Sequence, residues 1–231
     1  MSGLLASVAT LDEMDLVRAG GADIVDLKNP AQGALGAWES SALEAAVRRW
    51  RKWPARKPAL SATIGDHPMA PETVRAAAER VAATGVPLVK LGLFAGDVSG
   101  CLAALRPLAA TTQLIAVFFA DRTPDFTLLP EVAAAGFRGA MLDTADKAAG
   151  GLRTHLDETD LRRFVARARS LGLLTGLAGS LKREDVAPLA AVGSDYLGFR
   201  GALCEGGRTG RLDPASMSSI RQALTESRQA A

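Results

Sequence analysis

Ile24-Val25-Asp26-Leu27-Lys28, followed at once by Asn29-Pro30, decides how this chain is read. The run is too short for a core helix, it opens on two β-branched residues, and Asn-Pro breaks it with a turn. It therefore reads as a buried strand. Working outward, comparable short apolar runs lie at residues 4–9, 60–64, 88–93, 114–120, 139–144, 174–179 and 196–200. They recur at roughly the length of one strand-plus-helix unit, about 25–30 residues. The intervening segments carry helix punctuation. Thr10 and Glu13 are spaced as a capping box, as are Ser41 and Glu44. Pro71 and Pro214 suit a first helical position, the latter just after a candidate N-cap, Asp213. Leu161, Phe164, Val165, Ala168 and Leu171 keep helical spacing up to Gly172, as do Val74, Ala77, Ala78 and Val81 before Gly85. Eight strands alternating with eight helices imply a parallel sheet. No G-x-G-x-x-G follows the first strand, which argues against an open dinucleotide-binding sheet. The expected fold is α/β, a single (β/α)₈ TIM barrel formed by one domain over residues 1–231.

Composition narrows the function classes. With 27 basic and 25 acidic residues the net charge is only +2, and aromatics make up 5%. That gives neither the electrostatic footprint nor the stacking surface of a nucleic-acid binder. The apolar runs are too short to span a bilayer, and the first residues carry no basic signal region before Asp12. A cytoplasmic protein with no membrane contact is the expectation. Cys101 and Cys204 are far apart and lack metal or redox spacing, so two reduced thiols are expected. No His, Cys, Asp or Glu spacing suggests a metal site. A homo-oligomer is compatible with the Ala-rich helices, but no heptad specifies one.

In such a barrel the chemistry gathers where strands end at their C-terminal side. Alternate strand residues share a face, so Asp26 and Lys28 point the same way. Lys90, between Val89 and Leu91, is expected to enter the interior; Asp143 ends the sixth strand, with Lys147 one turn later. An interior lysine is costly unless it is paired or neutral. Three amines with two carboxylates at one mouth suit Schiff-base chemistry on a carbonyl, since a crowded or buried amine is more readily the free base. A buried ion-pair cluster is the structural alternative. Phosphate is expected beyond strands seven and eight, at Gly179 and Ser180, where a helix is expected to open, and at Arg200 and Gly201. The basic loop around Arg208 is a candidate flap, and Gly65-Asp66-His67 a candidate part of the mouth. Trp38, Trp50 and Trp53 are expected to cover the second helix.

These residues bring out a resemblance. Asp-Leu-Lys-Asn-Pro-Ala-Gln-Gly-Ala-Leu-Gly-Ala at 26–37 resembles the signature of the (5-formylfuran-3-yl)methyl phosphate synthase family. Val-Lys-Leu-Gly-Leu at 89–93 and Leu-Asp-Thr-Ala-Asp-Lys at 142–147 resemble its other active-site segments, and the likeness runs from the first strand through the turn at 198–201. Gln32 and Ala34 stand where the family commonly has an acidic residue and a serine. The resemblance implies a lyase acting on phosphates that joins two glyceraldehyde 3-phosphates for methanofuran-type cofactor biosynthesis. It implies no cofactor and a small phosphorylated aldehyde as partner. It also implies Lys28 as the Schiff-base lysine and Lys90 as an acid/base amine, with Asp26, Asp143 and Lys147 assisting. Another lysine aldolase or isomerase of sugar phosphates is the nearest rival, and a non-catalytic binding barrel a more distant one.

Overall fold

The structure is a computed structural model that describes residues 2–229; the outermost ends of the expected 1–231 domain lie outside the described residues. Eight strands occur in chain order: β1 (Gly3–Val8), β2 (Ile24–Leu27), β3 (Ala59–Thr63), β4 (Leu88–Gly92), β5 (Gln113–Phe119), β6 (Gly139–Asp143), β7 (Leu174–Leu177) and β8 (Tyr196–Phe199). Each pairs in parallel with the next, and β8 pairs with β1, closing the barrel. The principal outer helices are α1 (Leu11–Ala19), α2 (Ser40–Arg51), α3 (Pro71–Ala83), α4 (Val98–Ala109) and α5 (Leu129–Ala134). They continue with α6 (Leu152–His155), α7 (Glu158–Ser170), α8 (Val186–Val192) and α9 (Pro214–Gln229). The fold is a TIM barrel.

Strand alternation produces two separate apolar layers. Leu4, Ala6, Val25, Leu27, Leu60, Val89, Leu91 and Leu142 face outward into one continuous layer beneath the helices. Phe118 anchors it through edge contacts to Phe126 and Phe164, with ring centroids 6.3 and 5.9 Å apart. Fully burying each such side chain contributes about 1.5–3 kcal/mol, so most of the hydrophobic stabilisation resides here. Leu5, Ile24, Val117, Phe119, Met141 and Ala178 form a smaller cluster inside the barrel. That inner cluster is the floor on which polar side chains at the strand ends stand.

Helix boundaries correct three expectations. Thr10 accepts the Glu13 N–H at 3.3 Å, but the Glu13 carboxylate accepts from Ala9 N–H at 2.6 Å and from Arg200, so only half of the capping box forms. Ser41 and Glu44 make no box at all. α2 begins at Ser40, two residues earlier than a cap at Ser41 would place it, with Glu39 at its cap and no side-chain hydrogen bond there. Nor does a helix open near Ser180. That residue is left-handed (φ +48°), a short turn spans Arg183–Asp185, and α8 starts at Val186. Between β6 and β7 the chain adds α6, a four-residue turn whose Leu152 N–H donates to Gly179 at 2.9 Å. Pro71 and Pro214 do begin α3 and α9, and Asp213 accepts the Ser216 N–H at 2.8 Å. Of the three tryptophans Trp53 is buried, while Trp38 and Trp50 pack on the outer layer half-exposed.

Candidate active site

Register brings the first polar group together. Ser7, Asp26 and Ser61 are directly paired across β1, β2 and β3, and all three face inward. The Asp26 carboxylate is completely buried, and it accepts from Ser7 Oγ at 2.9 Å and Ser61 Oγ at 2.7 Å. Lys90 Nζ lies 3.0 Å away, on a side chain that is also buried. Burial by itself would raise the Asp26 pKa. The Lys90 and Lys28 ammonium charges and the Ser61 hydroxyl outweigh it and hold the carboxyl below its ordinary range. Asp26 is thus a fixed anion beneath the site; Lys90, which it holds, is the group that reaches the cavity.

The second group stands at the end of β6. Asp143 receives Lys147 Nζ at 2.5 Å and the Thr144 N–H at 2.8 Å, with Lys28 Nζ at 3.6 Å on its other oxygen. Lys147 also donates to the Thr144 carbonyl and, at 3.3 Å, to the Thr144 hydroxyl. Burial opposes ionisation of Asp143, but Lys147, Lys28 and the Thr144 amide overcome it and keep the carboxyl well below the usual carboxylate range. For Lys147 the balance goes the other way. Burial and the nearby Lys28 charge lower its pKa despite the attraction of Asp143. Asp121, at the end of β5, accepts the Ala145 and Asp146 N–H groups at 2.7 Å each and fixes the loop that carries Lys147.

Lys28, Lys90, Asp143 and Lys147 line one cavity of about 370 Å³ at the C-terminal mouth. Its opposite wall is the loop after β7, where Gly179 (φ +113°) and Ser180 turn the backbone. A Cβ at Gly179 would lie 3.1 Å from the Thr144 nitrogen, so only glycine lets the two loops approach. The Gly179 and Ser180 N–H groups donate to no protein acceptor among the described residues. Gly201 and Ala202 line the same cavity.

Arg200 is placed differently. Its Nε donates to Arg208 O, Nη1 to Ser7 O and Glu13, and Nη2 to Glu13 and Gly210 O. All five N–H donors have protein acceptors, so what Arg200 can offer an anion is charge alone. It clamps the root of the 205–211 loop to β1. Arg208, from that loop, crosses the mouth and donates to Gly33 O at 2.8 Å. Gly65-Asp66-His67 does not line the cavity. Asp66 instead accepts the Ala34 and Leu35 N–H groups at 2.7 and 2.8 Å and ties down the loop after β2, while His67 lies against Ile64 O. Among the described residues no group of three or more His, Cys, Asp or Glu is placed to hold a metal ion, and none of the helices is long and apolar enough to cross a membrane.

Ser7, Ser61, Glu13 and Asp121 escaped the sequence reading. The two serines could have been found only by pairing the strands in register with Asp26. Glu13 has the spacing of a capping residue, and its actual partner, Arg200, is remote in sequence.

The sequence model of the 4-HFC-P synthase family matches residues 4–221. This chain belongs to that family. Relatives named (5-formylfuran-3-yl)methyl phosphate synthase include one from Methanococcus aeolicus, 37% identical over 88% of this chain and 91% of its own. Another, from Methanothermobacter thermautotrophicus, is 35% identical over 96% of this chain and 98% of its own. Among solved structures, a Thermus thermophilus phosphoribosyl anthranilate isomerase superposes with a TM-score of 0.67 at 16% identity, covering 98% of this chain and 99% of that one. A 3-hexulose-6-phosphate synthase gives 0.66 at 18%, covering 96% and 99%. At those identities the structural likeness speaks to fold alone, whereas membership of the 4-HFC-P synthase family rests on sequence.

Proposed function

We propose that this chain condenses two molecules of glyceraldehyde 3-phosphate into (5-formylfuran-3-yl)methyl phosphate, releasing one phosphate and two waters, through a Schiff base on Lys28. The product would serve methanofuran-type cofactor synthesis. One observation carries the choice of lysine. Lys147 is enclosed by Asp143 and Thr144, and Lys90 is held on Asp26 at 3.0 Å, whereas Lys28 faces the cavity with its carboxylate 3.6 Å away. Lys28 is the amine most able to leave its partner and attack.

The steps follow from the charges. Lys28 adds to the carbonyl of one triose phosphate, and loss of water gives an iminium cation beside the Asp143 anion. The iminium acidifies the adjacent C–H. Lys147, whose burial favours the free amine, is the base for that proton. The enamine is a carbon nucleophile toward the second triose, and Lys90 supplies a proton to the oxygen that gains charge. Loss of phosphate, hydrolysis from Lys28 and dehydrating ring closure complete the balance. The recess at Gly179–Ser180 and the cationic rim at Arg208 each suit one phosphate. Asp26 touches no reacting atom and serves as a positioning residue for Lys90.

The test is borohydride reduction during turnover of glyceraldehyde 3-phosphate, with peptide mass spectrometry. A reduced three-carbon adduct on Lys28, together with a near-ultraviolet furan chromophore and phosphate release, is expected. A chromophore with the adduct on another lysine overturns the assignment of Lys28. Absence of both from folded protein overturns the reaction.

A further inference from the structure

Beneath the active site the barrel interior is not filled. TIM barrels ordinarily pack their interiors with layers of side chains, and close packing leaves few voids larger than a water molecule. Here the inward positions below the polar group include Ala59 and Gly176, which supply little volume. A second cavity of about 330 Å³ remains, opening at the N-terminal end of the strands. Leu5, Met141 and Lys90 line both this cavity and the active-site cavity, so the two lie back to back across those three side chains.

The lower space has its own chemistry. Leu5, Ile24, Ile115 and Met141 make its walls apolar, and the rings of Trp50 and Tyr196 stand at its mouth. Trp50 is fixed there by its Nε1–H, which donates to Pro58 O at 2.8 Å. Ser61 and Thr175 also line it, but their hydroxyls are spent on Asp26 and Asp195, and Gln113 stands exposed at the edge. Arg138, exposed at the rim, makes no side-chain hydrogen bond or ion pair among the described residues, whereas Arg169 and Arg221 pair with Asp195 and Asp23 at 3.2 and 3.0 Å. A free guanidinium offers a planar fork matched to a carboxylate. An apolar recess of this volume lies within the range of small-molecule sites. Lys90 is held on Asp26 at 3.0 Å and Lys57 lies over the Trp50 ring at 3.9 Å, so Arg138 is the cation left for a ligand; with no glycine-rich anion loop, the recess suits a weakly charged apolar ligand better than a phosphate ester.

We propose that the lower cavity is a second binding site, separate from the catalytic one, for a small planar monocarboxylate. Its ring enters between the apolar wall and Trp50, and its carboxylate pairs with Arg138. The site stands independently of the reaction assigned above.

The probe is sodium benzoate, titrated into the whole protein with inorganic phosphate present to occupy the upper cavity, and followed by calorimetry and tryptophan fluorescence. Saturable binding is expected, with a fluorescence change that Trp50→Phe removes. Arg138→Gln, at an exposed position, is expected to weaken binding roughly ten- to a hundredfold, the loss of a charge-assisted contact. Ala59→Leu, which fills the mouth, is expected to abolish it, with a circular dichroism spectrum like that of the unsubstituted protein. Absence of saturable binding overturns the proposal, as does competition by phosphate, which would place benzoate in the upper cavity. Indifference to Arg138→Gln, or equal affinity for benzyl alcohol, overturns carboxylate recognition.

Discussion

The two ends of the barrel interior enclose nearly equal spaces, about 370 and about 330 Å³, and differ almost entirely in what lines them. The upper end concentrates three lysines around two carboxylates, each paired and each supported by hydroxyls or backbone. The lower end is mainly aliphatic and aromatic, its polar groups Lys90, Ser61 and Thr175 are spent on carboxylates, and Arg138 at its rim has no side-chain partner among the described residues. The contrast separates two properties that are easily merged. Small inward residues create the space at either end. The upper end differs in that its buried charges are brought into contact with opposite ones, without which they would not remain ionised.

The contrast breaks most visibly if a charge is removed from the upper set. Asp26→Asn keeps the shape but leaves Lys90 buried without its anion. A loss of about 3–5 kcal/mol is expected in urea denaturation, as for breaking a buried pair from one side. A loss below about 1 kcal/mol, in the range of an exposed pair, would show that Lys90 is neutral or solvated and that the upper end is no more charged than the lower.

Acid titration sharpens the same point. Asp26 and Asp143 both have folded-state pKa values below those of the unfolded chain. Their contribution is therefore fully present above the ordinary carboxylate range, about 4, and is lost as pH falls through the lower folded values. The urea midpoint is expected to hold steady near neutrality and to decline below about pH 4, with a shallower decline in Asp143→Asn. Lys147 acts with the same sign at alkaline pH. Its folded pKa is also depressed, so raising pH toward the unfolded lysine value relieves the burial of an ammonium. A midpoint that rises on acidification would contradict all three assignments.

The smallest effects compare single uncharged positions. Ser61→Ala removes one hydroxyl from Asp26 and is expected to cost about 1 kcal/mol in the same denaturation series. Ala59→Leu, one strand turn below, projects into empty space and is expected to change stability by less than about 1 kcal/mol while leaving turnover unaltered. Equal losses at the two positions would mean that the lower cavity is closed in solution.

How much of this was legible beforehand differs by element. The strands were, because a barrel strand buried on both faces leaves a short apolar run between turns, and 24–28 and 88–93 could hardly be anything else. The inward direction of Asp26, Lys28 and Lys90 followed from the two-residue strand repeat. What escaped was whatever depends on pairing between distant segments. Ser7 and Ser61 look like ordinary strand residues until register sets them beside Asp26. The donors of Arg200 could not be assigned without knowing that Glu13 and the 208–210 backbone surround it. The absence of a helix at Ser180 also has a local cause that spacing did not reveal. The left-handed turn there sends the chain across the mouth before it can coil.

The Arg200–Glu13 pair joins residues 187 positions apart, the one just after β8 and the other in α1 just after β1, the two strands whose pairing closes the barrel. Joining such distant segments costs loop-closure entropy that nearby contacts do not. During synthesis Glu13 emerges long before Arg200 exists to meet it. The clamp at the root of the 205–211 loop therefore cannot form until β8 and Arg200 have been made. In temporal terms, one ion pair ties the covering of the cavity to the last part of the chain to be made.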